Sequence, residues 1–409
     1  VTEVNRLTQA GPVRFIIEER LSVDAYNQIF PWLRSIARGS SSDYPATSFG
    51  DSVLRHLRFG ATINLLFGKL STGAKQILGL ATTLKELGVK HTIYGIGKFL
   101  ADVAAWGARG FQGPGPFEAI SAVDPAFELF HINYNREIRD LYTRAFSATG
   151  VLSSTRQGAV ALGMVWFNLV QGTVNAITWE GAYKQALDQG RTEQEARAYA
   201  GAKVRMSQSS GGVKDLAAVQ RGSEAHKMFT IMYSWFSVLY NQIAEPAYVK
   251  GEGGVAKVQR VATKAAHLFW LVVLPVMLEQ ALRGELEGEG DDPDDNAMRR
   301  GVDMALFAAK SVPIVNLGAE ALLDQREARP APWVSAYTNG LEAVSDLAME
   351  GEEGLSESQV KALVNFTGTV LHLPAQGAYN GLQWWELNKE GLLEEKWRDL
   401  FFRSPREFK

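Results

Sequence analysis

Two stretches of this chain are apolar almost all the way round a helix, yet each carries one narrow polar row. In Ser154–Thr178 the row is Ser154, Gln157, Ala161, Met164, Asn168, Gln171, Asn175 and Thr178; in Lys227–Asn241 it is Lys227, Thr230, Ser234, Ser237 and Asn241. Intervals alternating three and four keep a row on one side of an α-helix. A water-facing helix shows the reverse, a broad polar face with a limited apolar stripe. The rows therefore predict helices held between an apolar surrounding and a polar interior. Either they line a lumen, or they meet one another as an inter-helix face inside a bundle, paired as hydrogen-bond networks. A weaker third row runs through Ser358, Lys361, Asn365, Gly368 and His372.

No stretch sustains the alternation of a strand. The expected fold is all-α: an extended multi-helix assembly subunit with Gly-rich amphipathic helices and no sheet. At 409 residues, 46% of them hydrophobic, the chain has material for a large core. Its 39 glycines include Gly60, Gly68, Gly73 and Gly79 within Asp51–Leu87. Gly weakens a helix in water, and close helix–helix approach offsets that weakness. The net charge of −3 excludes a polycation that coats nucleic acid. The absence of Cys excludes disulfide scaffolds, thiolate nucleophiles and Cys-ligated zinc.

Three regions are expected. Residues 1–110 form an N-terminal helical region. The loop Gly110–Pro116 is read as a hinge or boundary. Residues 117–250 form a central region with the polar-rowed helices and a helix from Thr192, where Thr192 and Glu195 have the spacing of a capping box. Residues 255–409 hold a hydrophobic helix over 265–282, an acidic loop over 285–295 and an aromatic tail with Trp384, Trp385, Trp397, Phe401 and Phe402. Further helices are expected near Pro125–Ser147, Val302–Leu323 and Glu357–Leu373.

Leu268–Leu278 is the most hydrophobic window, but it holds only 11 residues before Glu279. A spanning helix needs about 20. Neither this window nor Gly158–Val170 is expected to act as a lone anchor, and the mean hydropathy of −0.10 is that of a water-soluble protein. No n-region, apolar h-region or cleavage site follows Val1, so entry into a membrane is expected by a route other than ordinary export. Membrane-contact candidates are Leu268, Phe269, Trp270, Leu271, Val272, Val273 and Leu274.

Catalytic chemistry is sparse. The six His residues are scattered, with no HExxH, and there is no GxSxG elbow, Walker loop or GxGxxG. Asp291–Asp295 lacks the alternating ligands and closing Glu of a calcium loop and reads as a solvated turn. Arg136, Arg139 and Arg144 are interleaved with Glu137 and Asp140 and read as a salt-bridged surface. No enzymatic activity, cofactor or metal is expected.

From Gln208-Ser209 the chain continues through Val219-Gln220-Arg221-Gly222, Lys227-Met228-Phe229-Thr230, Tyr233-Ser234-Trp235-Phe236 and Asn241 to the Leu268–Leu278 block, then Glu279 and the acidic loop. This arrangement resembles the helical regions of large internal virion proteins of tailed bacteriophages, the polyvalent or ejection proteins, over about Ser154–Leu282. The resemblance implies a protein stored in the virion interior and expelled ahead of the genome. It then assembles in the host envelope, at the periplasm or inner membrane, into a ring or tube of identical subunits. Its implied partners are copies of itself, other ejection or core proteins, envelope lipid, and viral double-stranded DNA passing without sequence recognition. Some members carry a peptidoglycan-cleaving domain, but no Glu-Ser-Ser-Gly-like signature is present here. Two alternatives stand beside this reading: a soluble internal-core scaffold organising the portal or packaged DNA, and a peptidoglycan-cleaving fragment.

Overall fold

A computed structural model describes residues 1–20, 22–38, 48–66, 75–125, 127, 151–208, 215–216, 218–230, 233–244, 254–283, 339–345, 357–371, 385 and 389. Of these, 90% are helical and none lies in a strand, so the chain is all-α over the described residues. The acidic loop 285–295, the helix expected near Pro125–Ser147 apart from Pro125 and Phe127, the helix expected near Val302–Leu323, and the tail apart from Trp385 and Lys389 lie outside them.

The helices, numbered along the chain, begin with α1 (Thr2–Gln9), α2 (Gly11–Arg20), α3 (Val23–Arg38) and α4 (Phe49–Leu66). Next come α5 (Gly79–Ala108), α6 (Pro116–Val123), α7 (Val151–Asp188) and α8 (Glu193–Ser207). The last are α9 (Glu224–Phe229), α10 (Tyr233–Ala244), α11 (Gly254–Leu268), α12 (Leu274–Arg283) and α13 (Glu357–Leu371).

The central unit is the trio α5, α7 and α8. Leu87 and Phe99 of α5, Ile120 of α6, Ile177, Trp179 and Ala182 of α7, and Ala200 and Val204 of α8 form one core. Helices from the expected N-terminal and central regions thus share a single interior, and the loop over 110–116 connects two helices that both contribute to it. The turn is tied by the Trp106 indole donating to Gly113 O at 3.2 Å and by Gly110 and Gly113, both at positive φ.

Two glycines set how closely α5 and α7 approach. A Cβ on Gly95 would collide with Ile177 O, and one on Gly181 would lie 2.5 Å from His91 O. The helices therefore meet backbone to backbone, the small-residue contact that the Gly content predicts, but at Gly95 and Gly181. Gly88, at φ 74° and ψ 167°, breaks α5 into two helical segments; the sequence marks it only as one more Gly in a helical run.

At the start of α8, the Thr192 side chain accepts from the Glu195 N–H, and the Glu195 carboxylate accepts from the Thr192 N–H at 2.9 Å. This is the capping box expected there. It satisfies two N–H groups that have no partner within the helix. α8 is linked to α5 by Lys203, whose ammonium lies 2.7 Å from Glu86; Lys85 lies at the same distance from that carboxylate.

Candidate membrane-contact segment and the polar rows

The first polar row is buried inside the subunit. Asn175 and Thr178 have no exposed surface and Gln171 almost none. The Gln171 amide donates to Asn175 Oδ1 at 2.8 Å and lies 3.4 Å from Gln208 Oε1. Gln208, the C-cap of α8, in turn donates to Gly79 O at 3.0 Å and Thr83 Oγ1 at 3.1 Å. The Thr83 and Thr178 hydroxyls are 2.7 Å apart. The row is therefore an inter-helix face joining α5, α7 and α8, and these three residues do not line a passage in this fold. Asn168, one turn earlier, is half-buried, and the side chains from 151 to 164 lie outside the described residues. The outer side of α7 carries Val165 and Leu169, both about half exposed. Over this part α7 is apolar outside and polar inside, as the row predicts. Asn175 Nδ2 is fully buried and has no hydrogen-bond partner among the described residues.

The second row does not run along one helix. α9 ends at Phe229 and α10 begins at Tyr233, so Lys227 and Thr230 belong to one element and Asn241 to another. Thr230, the C-cap of α9, is buried and its hydroxyl donates back to His226 O at 3.0 Å. Such back-bonding competes with continuing the helix. Spacing reports a shared face only while the helix is unbroken, and it gave no sign of this break. Asn241 is exposed, and the side chains of Ser234 and Ser237 lie outside the described residues. In the third row, Ser358 through Gly368 fall on α13, which packs against α4; His372 lies outside the described residues.

Lys227 has a different role from the one its row suggests. It lies 3.1 Å from Glu224, which also pairs with Arg58 at 3.1 Å, and all three side chains are nearly inaccessible. The cluster joins α9 to α4. Burial works against the ionised carboxyl, but the charges of Arg58 and Lys227 outweigh it and hold Glu224 below the ordinary carboxylate range. Sequence reading missed the cluster because 166 residues separate Arg58 from Glu224.

One cleft, of about 330 Å³, is lined by Lys98, Asp102, Arg109, Trp179 and Glu180 among others. Lys98 and Asp102 form an ion pair at 2.6 Å. Burial pushes the Glu180 carboxyl above its ordinary range against the opposing pull of Lys98.

The hydrophobic segment is part of a longer helical arm. α11 is followed by a π-helical turn, Phe269–Val273, and then by α12 without a break. The cause is Pro275. It has no N–H for Leu271 O, and its ring would clash with that carbonyl in a regular α-helix. The wider turn accommodates it, with the Leu274 N–H bonded to Phe269 O. Residues Gly254–Leu278 make a helix of 25 residues whose best 18-residue window has a mean hydropathy of 1.8. By length and composition it is long and apolar enough to cross a membrane. The uninterrupted apolar run within it, Leu268–Leu278, is only 11 residues. A helix carrying few charges does not need a longer run, and at about 1.5 Å per residue this one is roughly 37 Å long.

Only 22% of that window is buried. The buried part faces α10 on one side and, at the π-turn, α5 on the other. Leu271, Val272 and Val276 pack on Leu239 and Ile243, and the Lys264 ammonium donates to Ile243 O. The expected contact residues are therefore divided. Leu268 and Phe269 are exposed, Trp270, Val273 and Leu274 are half-buried, and Leu271 and Val272 are closed against α10.

Compared with known proteins, the chain matches no family model, no curated protein and no solved structure.

Proposed function

We propose that this chain is an internal virion protein of a tailed bacteriophage that leaves the capsid ahead of the genome, enters the host envelope and oligomerises around the passage taken by viral DNA. One observation carries the reading: the Gly254–Leu278 arm is long and apolar enough to cross a bilayer, yet only 22% of its apolar window is buried in the subunit. A core helix of comparable hydropathy is normally enclosed. The order of motifs from Gln208 to Glu279 supports the same reading.

The buried row changes which residues line the passage. Gln171, Asn175 and Thr178 hold α5, α7 and α8 together in the subunit, so the passage is built between subunits or after the trio opens. The buried Asn175 Nδ2, without an acceptor among the described residues, fits a helix that has another arrangement available, because a buried donor without an acceptor costs about 1–3 kcal/mol.

The test follows an epitope-tagged chain through infection. Membrane fractions collected after genome entry should contain the tagged chain, in particles larger than a monomer after detergent extraction. A tag that remains with the emptied capsids would overturn the reading and favour the internal-core scaffold.

A further inference from the structure

The cleft between α5, α6 and α7 contains a carboxyl group to which no donor of the described residues is bonded. At one end of it Lys98 and Asp102 of α5 meet Glu180 of α7. The Lys98 ammonium lies 2.6 and 2.5 Å from the two Asp102 oxygens. It attracts Glu180 as a charge, but among the described residues neither it nor any other N–H or O–H donates to that carboxylate. One ammonium thus serves two carboxylates, and this end of the cleft is left negative. Arg109, the other cation of the lining, stands 11 residues further along α5, about 16 Å by helical rise. It is exposed, and its guanidinium lies 3.5 Å from Pro114 O.

Glu180 is half-buried, and burial is the largest influence on it, working against the ionised form. A carboxylate in that position is costly until a donor is supplied. Around it the cleft is walled by Ala105, Pro116, Ala119, Val123 and Trp179. The Trp179 wall is fixed in place: its indole N–H donates to Asp124 Oδ2 at 2.9 Å, and its ring stacks on Tyr183 with centroids 5.1 Å apart. A pre-formed hollow with apolar walls and a charge at one end has the composition of a small-molecule site.

We propose that this cleft binds a small primary amine, its ammonium donating to Glu180 and its apolar body resting on Ala105, Ala119 and Val123. The sign follows from the group that lacks a partner, because an ionised carboxyl only accepts. An organic cation is favoured over a metal ion, since the described residues gather no set of three metal-ligating side chains. The volume of about 330 Å³ limits the ligand to a small one. This site goes beyond the envelope reading and does not depend on it, as it uses the trio core and not the arm.

The experiment titrates the purified full chain at about pH 7.5 with 2-phenylethylamine and with 3-phenylpropionate, probes of similar shape and opposite charge, and reads binding by calorimetry. The amine should bind and the carboxylate should not. A hydrogen-bonded ion pair is stronger than a neutral hydrogen bond, so Glu180→Gln should weaken the amine about tenfold or more. Ala105→Trp, at an exposed position, should fill the hollow and abolish binding with Glu180 still present. The amine should raise the thermal midpoint of the unaltered chain and leave that of Glu180→Gln unmoved. The two probes on the unaltered chain keep the proposal testable if a variant fails to fold. Nα-acetyl-lysine amide, with the same ammonium on a thin stem, should bind more weakly than 2-phenylethylamine; tighter binding would assign the cleft to a partner protein's lysine and overturn the small-molecule proposal. Equal binding of amine and carboxylate, binding of neither, or an amine affinity unchanged in folded Glu180→Gln would also overturn it.

Discussion

In the α5–α7–α8 unit, amides and hydroxyls lie inside and are bonded to one another across helices, while in the first half of the α11–α12 arm Val255, Val258 and Val261 lie outside, as does Phe269 just beyond. Both segments are rich in apolar residues, and hydropathy alone ranks them together. The difference is in which groups the rest of the chain encloses. Gln171, Asn175 and Thr178 are closed in by Gln208, Thr83 and backbone contacts at two glycines. Val255, Val258 and Val261 have no such cover. The first region is organised to hold one arrangement of three helices. The second presents surface that folding leaves open.

Three substitutions break or sharpen this contrast. The largest effect is expected at Glu224, where Glu224→Gln leaves Arg58 and Lys227 buried without their anion. Removing one member of a buried ion cluster costs about 3–5 kcal/mol, readable in denaturant unfolding. The sign of the pH dependence follows from the lowered folded value. The stabilisation by Glu224 is complete above the ordinary Glu value, about 4.3, and is lost as pH falls through its lower folded value. The variant should therefore lose stability at neutral pH and show a shallower acid transition.

A smaller loss is expected for Gly95→Ala, because the added methyl meets Ile177 O of α7 and pushes the two helices apart. Overpacking of this kind costs about 1–3 kcal/mol and should lower the thermal midpoint. Unchanged stability would mean that α5 and α7 do not meet backbone to backbone. The smallest effect is expected in the arm. Val258→Asp should change unfolding free energy by less than about 0.5 kcal/mol, since the side chain is 69% exposed. A large loss there would show that α11 is covered in the folded chain and would erase the contrast.

Much of the architecture was legible in the residues, and the limits follow from what spacing encodes. The all-α class followed from periodicity, and the α8 start followed from Thr192 and Glu195, whose interaction spans only three residues. The polar row of α7 was also legible as a face. Its partners were not, because Thr83 and Gln208 lie 95 residues before Thr178 and 37 after Gln171, on other helices. The same distance effect hid the pairing of Arg58 with Glu224. The break between Lys227 and Asn241 was hidden for another reason: a row of polar residues keeps its interval of three and four whether or not the backbone between them remains helical. The reach of the arm is set by the 25-residue helix and not by the uninterrupted apolar run, which ends at Glu279.

The π-turn before Pro275 has a geometric consequence for the arm. In a regular helix advancing roughly 100° per residue, Val276 would share the bearing of Val258, 18 residues earlier, and would be directed away from α10. The widened turn holds one residue more than an α-helical turn, and everything beyond it lags by about that angle. Val276 is thereby brought round to Leu239. A single imino acid thus fixes the azimuth of the distal half, and Ala at that position would free the segment to rotate its greasy side outward.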